Sequence, residues 1–180
     1  LSNHTAYLSK PSLKKLFIDW IQKFSDKIES LTLTEKIHNL GYDVKEYYLK
    51  KVQEVISSLN NEDKLPYINH ALTLFRNNTT MLIKKLEIAR WYVSHNKNDE
   101  AIVLADEIGN LITGACLVKA EALFNKAKVE TDLDRRVKLL RESLSSITST
   151  TGTGSSKLIE SVNELFIDTA ELYYSVKDSD

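Results

Sequence analysis

Apolar residues recur every three or four positions through most of the chain, a spacing that predicts helices. The pattern is clearest between residues 82 and 147, where two pairs of apolar series are each divided by a polar break. The first pair comprises Leu82, Leu86, Ala89 and Val93, then Ile102, Ala105, Ile108 and Ile112, and the second comprises Leu117, Ala120, Leu123, Phe124 and Ala127, then Val137, Leu140, Leu144 and Ile147. The sequence therefore predicts two tandem helical hairpins, 82–112 and 117–147, whose period of 35 residues runs from Ala101 to Arg136 and is typical of a helical repeat array.

The N-terminal third continues the helical pattern after an aperiodic arm at residues 1–10. Pro11 suits the first turn of a helix, where its missing amide proton costs nothing. The sequence from Thr32 to Glu35 has the form of a capping box, which predicts a helix start near Thr32. The apolar positions that follow predict one long helix to about Leu59, with a bend at Gly41.

Three further boundaries come from polar breaks. After Asn60, either Asn61 or Asp63 is predicted to cap a helix that holds Pro66 in its first turn. Residues 77–80, Asn-Asn-Thr-Thr, are predicted to end that helix and to cap the next one, which begins near Thr80. The Gly, Ser and Thr residues at 149–156 predict a flexible loop, open to phosphorylation, before a last helix that starts near Ser156.

The two hairpins resemble tetratricopeptide repeats, in which a first helix carries a small residue at position 8 and an aromatic residue at position 11. Counted from Leu82, these positions hold Ala89 and Tyr92, and position 20 holds the expected alanine, Ala101. Counted from Leu117, they hold Phe124 and Ala127, with Arg136 at position 20, so the second repeat departs from the pattern. Ala170 and Tyr173 restore the pair in the last helix.

This resemblance implies an all-α fold of tandem antiparallel helix hairpins, wound as a tetratricopeptide-like right-handed α-solenoid. It also implies a concave groove lined by the first helix of each pair, where partner proteins bind. The positions that face this groove in the family correspond here to Arg90, Val93, Glu121, Asn125, Lys128, Glu171 and Tyr174. Because only Asn125 and Lys128 could contribute to the family's clamp for a terminal carboxylate, an internal segment of a partner is the expected ligand.

Composition narrows the class of protein. With 42% hydrophobic and 27% charged residues, the chain falls in the globular range and suits one helical repeat domain over 11–180. The formal net charge of −1 argues against nucleic-acid binding, including the single-stranded RNA binding of pentatricopeptide repeats. No apolar run is long enough for membrane insertion. The single cysteine, Cys116, favours an intracellular location, cytoplasmic or nuclear, and the start at Leu1 suggests a fragment of a longer protein.

No catalytic constellation emerges from the sequence. The four histidines lack zinc-binding spacing, Cys116 lies in an apolar stretch as a buried, inert thiol, and His70 is interpreted as a structural histidine. We therefore expect no enzyme activity, cofactor or metal. The predicted function is a protein–protein interaction scaffold that binds a segment of a partner; the alternative is a structural subunit of an intracellular complex that uses broad helix faces. An RNA-binding helical repeat ranks third.

Overall fold

A computed structural model describes residues 10–21, 27–112, 114–147 and 153–177 of the chain. These residues form nine α-helices and a short 3-10 helix, with no β-strand in the described ranges, which confirms the prediction of an all-α protein. The helices are α1 (Lys10–Ile21), α2 (Lys27–Asn39), α3 (Lys45–Ile56), α4 (Asn61–Leu74), α5 (Thr79–Ser94), α6 (Asn98–Ile108), α7 (Gly114–Val129), α8 (Leu133–Ile147) and α9 (Thr153–Lys177), with the 3-10 helix at Gly109–Leu111. They divide into two compact units, residues 1–76 and 77–180.

In the first unit, α1 packs against α2, α2 against α3, and α3 against α4. The buried side chains include Ile37, Val44, Tyr48, Val52 and Ile68. The Nε2 atom of His70 lies 2.9 Å from the Glu35 carboxylate, which joins α4 to α2. The burial of these apolar side chains, more than this single polar contact, supplies the driving force for folding in this unit.

The boundary between α2 and α3 differs from the predicted long helix. Thr32 lies inside α2, and its hydroxyl donates to the carbonyl oxygen of Ile28 at 3.0 Å, so the predicted helix start near Thr32 is wrong. The helix ends at Asn39, and Gly41 takes a φ of +85°, with its amide donating to the carbonyl oxygen of His38. Gly41 thus terminates a helix instead of bending one, because glycine occupies the left-handed region without a Cβ clash.

The other predicted caps have mixed outcomes. Asn60 caps α4 by accepting from the amide of Asp63, so the predicted caps Asn61 and Asp63 are wrong. Pro66 is the sixth residue of this helix, beyond the first turn predicted for it. In contrast, Asn78 accepts from the amide of Met81 at the start of α5, which confirms the cap predicted there. An Asn side chain can serve as a cap wherever the backbone turns into the helix, so a run of polar residues in the sequence does not show which of them is the cap.

In the second unit, α5 to α9 also pack consecutively, and α7 and α9 each contact the helix two places earlier. Lys126 pairs with Asp99, and the Nζ atom of Lys119 lies 2.6 Å from the Asp106 carboxylate. The start of α6 therefore lies beside the end of α7, and these two helices are antiparallel. Among the apolar positions predicted for the hairpins, Leu82, Leu86, Ala89 and Val93 are all buried in α5, and Leu140 and Ile147 are buried in α8.

The last helix begins earlier than predicted. Because α9 starts at Thr153, residues 153–156 are helical, and the predicted flexible loop at 149–156 is wrong for this half. Gly, Ser and Thr are tolerated in a first turn, whose amides have no intrahelical partner. The apolar side chains of Leu158, Val162, Leu165 and Phe166 hold the helix against α7 and α8. Residues 149–152, like 1–9 of the predicted arm, lie outside the described residues.

Candidate functional site

A cleft of about 770 Å³ runs across α5, α7 and α9 in the second unit. Its walls combine apolar side chains with charged and polar ones. The lining residues are Arg90, Val93 and Ser94 of α5, Gly114, Leu117, Val118, Glu121, Phe124 and Asn125 of α7, and Lys157, Leu158 and Ser161 of α9. A mixed lining of this kind can bury the apolar part of a ligand while a few polar groups fix its orientation.

The close approach of α7 to α5 depends on Gly114, the first residue of α7. A Cβ atom built on Gly114 would lie 2.9 Å from Cδ2 of Leu86 and 3.0 Å from Nη2 of Arg90. Leu86 is buried and cannot move freely, so the glycine allows the two helices to meet at this distance. It also leaves room for the Arg90 guanidinium, which lines the cleft.

Four of the seven residues predicted to face a groove line this cleft together. Arg90 and Glu121 are exposed there, Asn125 is half-buried, and Val93 is only 6% exposed, so its contribution is a small apolar surface. Their assignment as partner-binding residues stays a prediction.

The other three predicted residues do not line the cleft. Lys128 is one turn further along α7, with its Nζ atom 5.4 Å from the centre of the Phe124 ring. Glu171 is exposed on α9, well beyond Ser161. Tyr174 belongs to α9, but its side chain lies outside the described residues.

Sequence reasoning missed the contribution of α9 to this cleft. Lys157, Leu158 and Ser161 lie in the first three turns of α9, well before Ala170 and Tyr173, the repeat positions predicted in this helix. These three residues lie inside the last helix predicted from near Ser156, but the repeat register assigns groove positions only further along that helix, at Glu171 and Tyr174. The apolar residue Leu158, four positions before the buried Val162, is the signal that could have extended the repeat register to the first turns of this helix.

The charged groups of the cleft differ from five lysines of the second unit that are paired with carboxylates. Elsewhere in this unit, Lys84, Lys85, Lys119, Lys126 and Lys138 all form ion pairs. Within the described part of the chain, Arg90, Lys157 and Glu121 make no side-chain hydrogen bond or ion pair. Two cations and one carboxylate in the cleft are thus available to a ligand.

The remaining reactive side chains have structural environments. The His38 ring packs against the Phe75 ring in a tilted arrangement with centres 4.9 Å apart, and His95 packs against Trp91 in the same way at 4.2 Å. Cys116 is partly exposed, not buried as the sequence suggested, and its Sγ atom lies 3.9 Å from Oδ1 of Asn110. In the described ranges, no three His, Cys, Asp or Glu side chains are grouped as metal ligands, and none of the helices there has the length and apolar character that crossing a membrane requires.

The fold and the cleft together define an all-α protein of consecutively packed helices with a surface cleft on its second unit. Comparison with protein-family models, with curated proteins and with solved structures finds no match for this chain.

Proposed function

We propose that this protein is a non-enzymatic interaction scaffold whose cleft across α5, α7 and α9 binds a segment of a partner protein. The observation that carries the proposal is the lining of that cleft. Apolar side chains such as Leu117, Phe124 and Leu158 lie beside charged groups that have no partner among the described residues. Such a surface suits a peptide, which offers side chains and backbone groups at once.

Contacts between alternate helices, namely α5 with α7 and α7 with α9, support a tetratricopeptide-like arrangement. The contacts of α7 with α5, and of α9 with α7, bring the first helices of successive pairs side by side. In a helical repeat array this row of helices forms the extended binding surface. The single cysteine is in keeping with a partner met in a reducing, intracellular compartment.

The alternative is a structural subunit that uses broad helix faces, and exposed apolar side chains favour it. Val103 of α6, Val129 at the end of α7 and Ile167 of α9 are each more than half exposed, and none of them lines the cleft. Isolated exposed apolar residues are common on globular proteins. If another protein covers these residues, they mark an interface in a larger assembly.

Affinity capture from a native extract distinguishes the two functions. The wild-type chain is compared with Asn125→Trp, which fills the cleft from α7, and with Val103→Glu, which changes an exposed face of α6. We expect the scaffold's partner to be retained by wild type and Val103→Glu and lost by Asn125→Trp. Calorimetry with that purified partner should then give a loss of more than about 1 kcal/mol for Arg90→Ala, without a change in thermal stability.

The opposite pattern would assign the function to the helix faces. If the partner binds Asn125→Trp like wild type and is lost by Val103→Glu, the cleft is not the binding site and the subunit function replaces it. Circular dichroism of each variant shows whether its helices are intact, so that unfolding is not mistaken for loss of binding.

A further inference from the structure

The charges in the cleft carry information about the ligand beyond its being a peptide. Arg90 lines the cleft beside Gly114, where a Cβ atom on the glycine would be 3.0 Å from Nη2 of the arginine. Lys157 reaches the same cleft from the second turn of α9. The two cations therefore come from different helices, with α7 contributing the residues between them.

The balance of charge in the cleft is positive, although that of the whole chain is not. Two cations and a single carboxylate, Glu121, line it, against a formal net charge of −1 over the 180 residues. Most lysines of the second unit are neutralised by neighbouring carboxylates, but Arg90 and Lys157 have no ion-pair partner within the described residues. An acidic ligand group would gain a charge-assisted hydrogen bond to an arginine that has no competing carboxylate to release.

The width of the cleft across the three helices limits the number of residues in the segment that it can bind. Packed helices have axes about 8–10 Å apart, so a cleft across three helices is roughly 16–20 Å wide. At about 3.3–3.6 Å per residue, five or six extended residues cover that width. Glu121 would repel a segment that is acidic throughout, whereas the apolar residues Leu117, Phe124 and Leu158 favour apolar side chains between the acidic ones.

We infer that the occupant of the cleft is a short segment of another protein in which acidic side chains, paired with Arg90 and Lys157, flank apolar residues. This inference rests on the proposed function, because it specifies the chemistry of the peptide that the cleft binds. Electrostatic complementarity of this kind selects among partners and accelerates association more than it adds to affinity.

The test is a selection of random 12-residue peptides displayed on phage against the full chain. We expect enrichment of sequences that combine Asp or Glu with apolar residues. A synthetic peptide of the enriched sequence should bind the double variant Arg90→Glu/Lys157→Glu about tenfold or more weakly than wild type, and its affinity for wild type should fall as salt is raised. The matched control is Arg135→Glu/Arg141→Glu, which reverses two exposed charges on α8 outside the cleft and should change the affinity less than twofold.

Selection on the charge-reversed protein gives a second, independent readout. Arg90→Glu/Lys157→Glu should enrich peptides rich in Lys or Arg in place of acidic ones. Both substituted residues are exposed, so the helical circular dichroism of the variant should equal that of wild type.

The possible failures are distinguishable. Peptides that lose binding to Asn125→Trp but lack acidic residues, or bind the charge-reversed protein like wild type, overturn the inference and leave the proposed function standing. Peptides that bind Asn125→Trp unchanged, or a selection that enriches none, overturn both. Dimerisation of the full chain that is abolished by Asn125→Trp would assign the cleft to a second copy of this chain, which also overturns the inference.

Discussion

Tyr48 is fully buried in the first unit, where its ring meets the edge of Phe75 at a centroid distance of 5.6 Å. Burial, reinforced by the negative charge of Glu35, raises the pKa of its phenol to about 12. Desolvation disfavours the charged phenolate, so the folded protein keeps this proton to a higher pH than the unfolded chain, in which the pKa is about 10. Between these two values the folded state binds more protons, and raising the pH must favour unfolding.

We predict that titration of Tyr48 lowers the free energy of unfolding of the wild-type protein above about pH 10, and that this contribution is absent in Tyr48→Phe. By pH 11 the contribution should be on the order of 1 kcal/mol. Chemical denaturation of both proteins from pH 7 to 11 measures it, because the titrations of all other groups cancel in the difference. At pH 7 Tyr48→Phe should be at least as stable as wild type, because it removes a buried hydroxyl that no protein group in the described ranges hydrogen-bonds. Parallel curves across the whole range would contradict the raised pKa.

The junction of α2 and α3 shows how one residue decides where an element ends. Gly41 has a φ of +85°, and no atom lies within 4 Å of the place where a Cβ would stand. The glycine is therefore required for its backbone conformation and not for space. A residue with a side chain would pay roughly 1–2 kcal/mol to remain in this left-handed region.

The sign of the change in stability when Gly41 is substituted shows whether this residue ends a helix or lies at a bend within one helix. We expect Gly41→Ala to lower the free energy of unfolding by about 1–2 kcal/mol, and Gly41→Asn to cost less, because asparagine visits this region more readily. Within a continuous helix, alanine would instead stabilise by about 1 kcal/mol. Equilibrium denaturation measures the change, and a more stable alanine variant would show that α2 and α3 are one helix.

At the scale of the molecule, each compact unit has buried side chains of its own. In the second unit, five helices pack consecutively, and Ala127, Leu140 and Val162 form a buried cluster contributed by α7, α8 and α9. The serine hydroxyl of Ser143 donates to the carbonyl oxygen of Ala120 at 2.8 Å, which also ties α8 to α7. A set of helices with its own core has the contacts needed to fold as a unit.

Residues 77–180 expressed alone should therefore form a folded helical protein. We expect a far-ultraviolet circular dichroism spectrum typical of helices and a single cooperative thermal transition. The same fragment with Leu140→Ala, which removes a fully buried side chain, should be destabilised by about 2–5 kcal/mol. A broad, non-cooperative loss of helix in the unsubstituted fragment would mean that this unit needs the first 76 residues in order to fold.

Sequence alone determined the features that depend on neighbours along the chain. The spacing of Leu82, Leu86, Ala89 and Val93 fixes both the helix and its buried face, because side chains three or four residues apart share one side of a helix. The polar run that contains Asn78 marks a helix start, because a side-chain oxygen there can accept from a free amide. The all-helical class and most core positions of the two hairpins follow from such local rules, whereas Leu117 and Phe124 of the second hairpin line the cleft.

The tertiary structure decided the features that have more than one local solution. The Thr32 hydroxyl could accept from a helix-start amide or donate to a carbonyl one turn earlier, and the placement of α2 selects the second. Gly41 could bend a helix or end it, and only the packing of α2 against α3 settles which. The cleft depends most on long-range contacts: Lys157 and Arg90 are far apart in sequence, and they line one surface because α5, α7 and α9 pack side by side. No periodicity within a single helix specifies which other helix will lie beside it.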